Sequence, residues 1–204
     1  MTTPSINYYL TPVSPWAYLG AARFRSLAEK HGAEVNLYVV DYGTIFPQTG
    51  GLPLPKRAPA RQAYRMADLA RFRDYLGMPL NLTPAHFPSS TKLSTHAIMA
   101  ANEEGGSGDA MRASEAVLTG LWGHEQNMDD HSTVAAALSS VGLDGDALVA
   151  QGEANADKYN AKIDTDTQQA LEQGVFGAPT FVYRNEVFWG QDRLELLDWR
   201  LSQG

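Results

Sequence analysis

Strand-forming sequence is confined to the two ends of this chain, and that most constrains its fold. "SINYYL" (5–10) and "EVNLYVVDY" (34–42) lie near the start, and "TFVY" (180–183) and "EVFW" (186–189) near the end. All four are rich in Val, Ile, Phe and Tyr. From about 61 to 173 the apolar spacing is mostly helical. Between the first two strands, Ser14-Pro15 reads as a cap followed by proline at the first helical position. Ala17, Leu19, Ala21, Phe24, Leu27 and Ala28 continue at near-helical spacing, and His31-Gly32 ends the run. Strand–helix–strand at this spacing implies two parallel strands joined by a right-handed crossover.

Residues 43–60 are dense in proline and glycine and read as an irregular loop, long enough to suspect function. Helices are expected over "ARQAYRMADLARFRDYL", stopped by Gly77 and Pro79, over "SSTKLSTHAIMAANEE", stopped by Gly105-Gly106, and over "GDAMRASEAVLTGLWGHE". Further helices are expected near 132–141, 144–160 and 164–173. At the far end Arg184-Asn185 joins two short strands as a hairpin. "QDRLELLDWRLSQ" reads as a last helix with Asp192 in its first turn. The order βαβ, helices, ββα describes an α/β thioredoxin-like sheet with an all-α helical domain inserted in the middle. The expected division is 1–45 with 174–204 for the sheet domain and 46–173 for the insertion. A cleft between the two is the natural ligand site.

The 204 residues carry a net charge of −7, which argues against nucleic acid as a partner. The charge is uneven. Lys56, Arg57, Arg61, Arg65, Arg71 and Arg73 cluster with Asp68 as the one acid among them. This patch fits a small anion, although a solvated helix face explains it equally well. No apolar run reaches membrane-span length and the first residues do not resemble a signal peptide, so a cytoplasmic location is the expectation. His124, Asp129, Asp130 and His131 lie close together without a familiar metal spacing, so no metal site is expected. There is no nucleophile elbow, phosphate loop or dinucleotide fingerprint. The five methionines after the first residue read as core filler.

In a thioredoxin-like arrangement the loop after the first strand faces the proline before the third. Here those are Ser14-Pro15-Trp16 and Gly177-Ala178-Pro179-Thr180. Pro179 is a candidate cis residue. A cis bond would turn the Ala178 backbone toward the cleft, where an extended peptide would pair with it. Redox versions of this fold carry CxxC at the first helix. This chain contains no cysteine, so it cannot exchange disulfides itself. What remains is a helix N-terminus and a hydroxyl, a combination that stabilises an anion, a thiolate included. Capping alone also explains Ser14. If a thiol takes part, the ligand brings it, and glutathione is a small, extended, anionic peptide with a thiol in its middle.

Three segments together resemble the 2-hydroxychromene-2-carboxylate isomerase family, related to kappa-class glutathione transferases. They are "YYLTPVSPWAYLG", "PARQAYRMADLARF" with "LGMPLNL" after it, and "GVFGAPTFVYRNEVFWGQDRLELL". The resemblance implies glutathione as cofactor. Ser14 would be the catalytic serine, its hydroxyl on the glutathione sulfur. Ala178 would pair with the cysteinyl backbone, with cis Pro179 behind it. Gln191 and Asp192 would hold the γ-glutamyl end, with Arg193 in the same motif. Arg61, where members often carry lysine, would also contact glutathione, and Thr49-Gly50-Gly51-Leu52 lacks the usual Gly-Asn.

The implied reaction is glutathione-dependent cis–trans isomerisation of 2-hydroxychromene-2-carboxylate and trans-o-hydroxybenzylidenepyruvate, or a close analogue. Arg61, Arg65 or Lys56 would meet the substrate carboxylate, and Trp16, Phe46 and Tyr64 would wall its ring. A homodimer is implied as well. The alternatives are a kappa-like transferase or peroxidase, and a non-catalytic thioredoxin-like glutathione-binding protein.

Overall fold

The structure, a computed structural model, describes residues 3–204. β1 (Ser5–Leu10) pairs in parallel with β2 (Glu34–Val39), in register from Ser5 opposite Glu34 to Leu10 opposite Val39. The crossover is α1 (Pro15–His31), with Ser14 as N-cap and Gly32 at φ 56° as its stop. β3 (Thr180–Tyr183) lies antiparallel to β1 on its other side and to β4 (Glu186–Trp189) beyond. The sheet order is β2-β1-β3-β4. Arg184 and Asn185 both take positive φ, 51° and 63°, as the two-residue hairpin requires.

The segment after β2 corrects the expected loop. α2 (Tyr42–Thr49) forms there, capped by the Asp41 carboxylate, which accepts from the Gly43 N–H at 2.8 Å. Its Pro47 forfeits one backbone bond, but the helix ends two residues later at Thr49, with Gly50 as its cap. Proline density hid a two-turn helix that buries Tyr42 and Ile45. A 3₁₀ turn, Leu54–Lys56, leads into α3 (Pro59–Leu76). The next two expected helices form one bent rod, α4 (Lys92–His124), broken at Gly106 with φ 74° and ψ −169°. α5 (His131–Ser140) follows. The break expected near 160 falls at Asn155 instead, between α6 (Gly145–Ala154) and α7 (Ala156–Glu172). Asn155 caps α6, bonding the Gln151 carbonyl with both its backbone N–H at 3.0 Å and its side-chain amide at 2.9 Å. After a 3₁₀ turn, Gln191–Arg193, α8 (Leu194–Ser202) closes the chain.

Alternation splits the strands between two faces. Ile6, Tyr8, Leu10, Phe181 and Tyr183 point into one core, filled by α1, α4 and α8. Tyr9 and Val182 point the other way, onto Tyr42 and Ile45 of α2 and Ala170 of α7. The first core runs unbroken from Tyr8 and Phe24 beside the sheet to Ile98, Leu118 and Trp122 of α4. The β1–α1 junction and the loop before β3 therefore sit on a rigid base. Among the described residues no helix is long and apolar enough to cross a membrane.

Candidate active site

Ser14 is 8% exposed at the start of α1. Its Oγ accepts from the Ala17 N–H at 3.2 Å, the N-cap bond. The hydroxyl's own hydrogen has only a long contact, 3.5 Å to the Ala178 carbonyl. Capping uses a lone pair, so the hydrogen stays free for a stronger acceptor. The Ala178-Pro179 bond is cis and brings Ala178 beside Ser14. The preceding Gly177 carbonyl is buried and accepts twice, from the Tyr42 hydroxyl at 2.9 Å and the Thr180 hydroxyl at 2.6 Å. Burial, and next the neighbouring Tyr8 and Tyr9, hold Tyr42 well above the ordinary phenol range, so it remains a donor. Gly177 has no room for a side chain, because a Cβ there would lie 2.2 Å from the Trp189 indole nitrogen.

Two aromatic pairs extend from this centre. Tyr42 packs on Phe46 with ring centroids 5.6 Å apart, and Trp16 meets Phe72 of α3 edge-on at 6.0 Å. Tyr64 does not join them. It is 61% exposed and lies under the Arg71 guanidinium, while the ring partners of Trp16 and Phe46 are Phe72 and Tyr42.

The basic patch divides in two. Arg71 pairs with Asp68 and Arg73 with Asp74, an ordinary helix surface. Among the described residues, Lys56, Arg57, Arg61 and Arg65 have no ion-pair partner. Lys56 and Arg61 are exposed, whereas Arg57 and Arg65 are partly buried. Burial, and then the charge of the neighbouring arginine, pull both Arg57 and Arg65 below the usual guanidinium value. Unpaired, half-desolvated cations of this kind await an anion.

The last motif is placed differently from expectation. Gln191 is 1% exposed, and its side-chain oxygen accepts from Arg23 Nη1 at 2.6 Å. That side-chain amide is committed inward to α1. The Asp192 carboxylate is half exposed and accepts from Arg193 Nη1 at 2.7 Å. Arg193 is thus the ion-pair partner of Asp192.

The match to known proteins runs along this whole frame. The family model described as a DSBA-like thioredoxin domain matches residues 5–202. The chain belongs to that DSBA-like thioredoxin family. Within it, the chain is 29% identical over 203 residues to a 2-hydroxychromene-2-carboxylate isomerase of Sphingobium xenophagum, covering 96% of this chain and 97% of the relative. It is 22% identical to glutathione S-transferase kappa 1 of Caenorhabditis elegans, covering 98% and 92%. The solved structure of a 2-hydroxychromene-2-carboxylate isomerase superposes with a TM-score of 0.79 at 26% identity, covering 98% of this chain and 95% of the other. For a DSBA-like protein the absence of cysteine is decisive, because no disulfide chemistry can start from its own side chains.

Four residues at this site were missed from sequence: Tyr42, Arg57, Trp189 and Arg23. Trp189 lies inside the segment GVFGAPTFVYRNEVFWGQDRLELL, and Arg57 inside the basic patch. Tyr42 and Arg23 carried no signal, since their roles are contacts to residues more than a hundred positions away. The His124–His131 stretch is spent on structure. Asp129 binds the Ser89 and Ser90 hydroxyls, Asp130 caps α5 and His131 lies against Glu153. The Thr133 hydroxyl, and then that of Ser132, hold the Asp130 carboxyl down at about 2.

Proposed function

We propose that this protein is a glutathione-dependent cis–trans isomerase of 2-hydroxychromene-2-carboxylate, trans-o-hydroxybenzylidenepyruvate or a close analogue, in the breakdown of aromatic compounds. The observation that carries the proposal is Ser14: a hydroxyl whose lone pair caps α1 and whose hydrogen lacks a short acceptor. Placed there, a thiol sulfur meets an O–H donor and the N-terminus of α1, which together favour the thiolate. Ala178 beside the cis Pro179 offers its backbone to the cysteinyl part. The γ-glutamyl amine suits Asp192, its carboxylate suits the N–H groups of the Gln191–Arg193 turn, and Arg61 suits the glycyl carboxylate.

The chemistry follows from that placement. The thiolate adds to the conjugated double bond of the open substrate and makes it single. The bond rotates, elimination restores the double bond, and the thiol returns unchanged. The protein lowers the thiol pKa, orients the ring between Trp16 and Phe46, and holds the carboxylate with Arg65 and Lys56. Whole-length similarity to the named isomerases supports this reaction, and the likeness to a kappa transferase supports conjugation as the second reading. A homodimer in the cytoplasm belongs to the same proposal.

The test is to follow the absorbance of 2-hydroxychromene-2-carboxylate with protein, with and without glutathione. Glutathione should accelerate turnover and Ser14→Ala should remove about 100-fold or more of it. Equal rates with and without glutathione, or an unaffected Ser14→Ala enzyme, would sink the reading. Light scattering tests the dimer, a monomer counting against it.

A further inference from the structure

We propose that Arg57 and Arg65 act together as a dianion site that stabilises the enolate formed when the thiolate adds to the substrate. This rests on the thiol-addition reading and assigns a catalytic role to Arg57.

Both guanidinium groups are fixed. Arg57 Nε donates to the Leu52 carbonyl at 2.8 Å, and its guanidinium carbon lies 5.8 Å from the centre of the Phe46 ring. Arg65 lies 6.0 Å from the centre of the Phe87 ring and touches the Met66 sulfur at 3.7 Å. Stacking on a ring leaves the in-plane N–H donors free to point at a ligand. Neither has a carboxylate partner among the described residues, although Arg71 and Arg73 farther along α3 each have one. The repulsion between Arg57, Arg61 and Arg65 and the burial of two of them both favour bound negative charge. Arginine at such a site stays protonated and answers with anion binding rather than proton loss.

Arg57 is also joined to the sulfur position through packed side chains. Arg57 stands on Phe46, Phe46 packs on Tyr42, and Tyr42 holds the Gly177 carbonyl next to Ala178 and Ser14. This run of contacts ties Arg57 to the sulfur position, and the Arg57 charge is felt at Arg65.

The reaction makes a dianion at the acid end of the substrate. When sulfur bonds to the carbon distal to the 2-oxo group, the double-bond electrons shift toward the carbonyl carbon and the carbonyl pair moves to oxygen. The charge leaves sulfur and arrives as an enolate oxygen beside the carboxylate. After rotation the same electrons return, the carbon–sulfur bond breaks, and the thiolate departs. One cation suffices for the carboxylate of the ground state. A second is used only while the enolate exists, and that difference raises kcat.

Oxalate, with two adjacent carboxylates, mimics the enolate beside its carboxylate, and acetate mimics the ground state. Titration calorimetry of the full chain should find oxalate at least about tenfold tighter than acetate, with Arg57→Met and Arg65→Met each removing about tenfold. Arg73→Gln, an equal loss of charge outside the cleft, should change nothing. In turnover, Arg57→Met should lower kcat about 100-fold with KM moved only a few-fold. Arg57→Lys, which keeps the charge and the Phe46 contact, should recover part of both losses and serves if the methionine variant does not fold. Oxalate bound equally by Arg57→Met and Arg73→Gln, or a kcat indifferent to Arg57, overturns the proposal even if glutathione proves essential. Arginine-dependent oxalate binding without glutathione-dependent turnover would instead sink the thiol reading and leave the dianion site standing.

Discussion

The Gly177 carbonyl offers a sharp test of how the site is held. It is buried and has two donors, the Tyr42 hydroxyl at 2.9 Å and the Thr180 hydroxyl at 2.6 Å. Tyr42→Phe removes one hydrogen bond and its own donor together, so nothing is left buried and unpaired. The expected cost is about 1 kcal/mol, near 2–4 °C in melting temperature for a chain of this length. Thr180→Val should cost about the same, since Tyr42 still serves the carbonyl. In the double variant the carbonyl has no donor, and an orphaned buried acceptor costs roughly 1–3 kcal/mol beyond the lost bonds. The total should then reach about 3–5 kcal/mol instead of the additive 2. Urea denaturation of the four proteins measures this, with glutathione affinity as a second readout because Ala178 follows Gly177 directly. Additivity within about 0.5 kcal/mol would refute the shared-acceptor argument.

Arg23→Met should leave the Gln191 amide oxygen without its 2.6 Å donor, lowering stability by about 1–3 kcal/mol and weakening glutathione binding through the loosened turn. Unchanged values in melting and titration experiments would remove Gln191 from the positioning role. Gly20→Ala adds a Cβ 2.8 Å from the Gln191 Cβ; the overpacking cost of roughly 1–3 kcal/mol should outweigh the ~1 kcal/mol gained in helix propensity. A more stable Gly20→Ala protein in the same urea assay would contradict that packing. The hydrogen bond to His31, then that to Lys30, holds the Asp198 carboxyl below its ordinary value. Its contribution is present above the unfolded pKa and is lost as pH falls through the lower folded one. Asp198→Asn should therefore flatten the acid limb of the stability curve below about pH 4, and an unchanged limb would assign the acid loss elsewhere.

How much of this was legible beforehand depended on whether a feature was local. Three strands, the α1 cap, the hairpin and the stop at Gly77 appear where the sequence implies them, since each rests on neighbouring residues and period, whereas the second strand, expected to run to Tyr42, stops at Val39 because Asp41 caps α2 and Tyr42 begins it. α2 was hidden because Pro47 and the nearby glycines mimic a loop, and only the burial of Tyr42 and Ile45 against α7 and the sheet makes a helix worth forming. Asn155 carries no stop signal in the sequence, and its pair of hydrogen bonds to the Gln151 carbonyl is a property of the folded turn.

At the site the same division holds. Composition alone excludes a protein thiol, and the Ser14-Pro15 cap alone gives a helix N-terminus with a hydroxyl, because counting and capping need no distant partner. Only the tertiary structure sets Ala178 against Ser14, turns Gln191 inward onto Arg23 and sends Tyr64 to the surface. It also separates Arg57 and Arg65, which lack acids, from Arg71 and Arg73, which have them. Charge type is written residue by residue, but whether a charge is paired or desolvated depends on what the fold brings beside it.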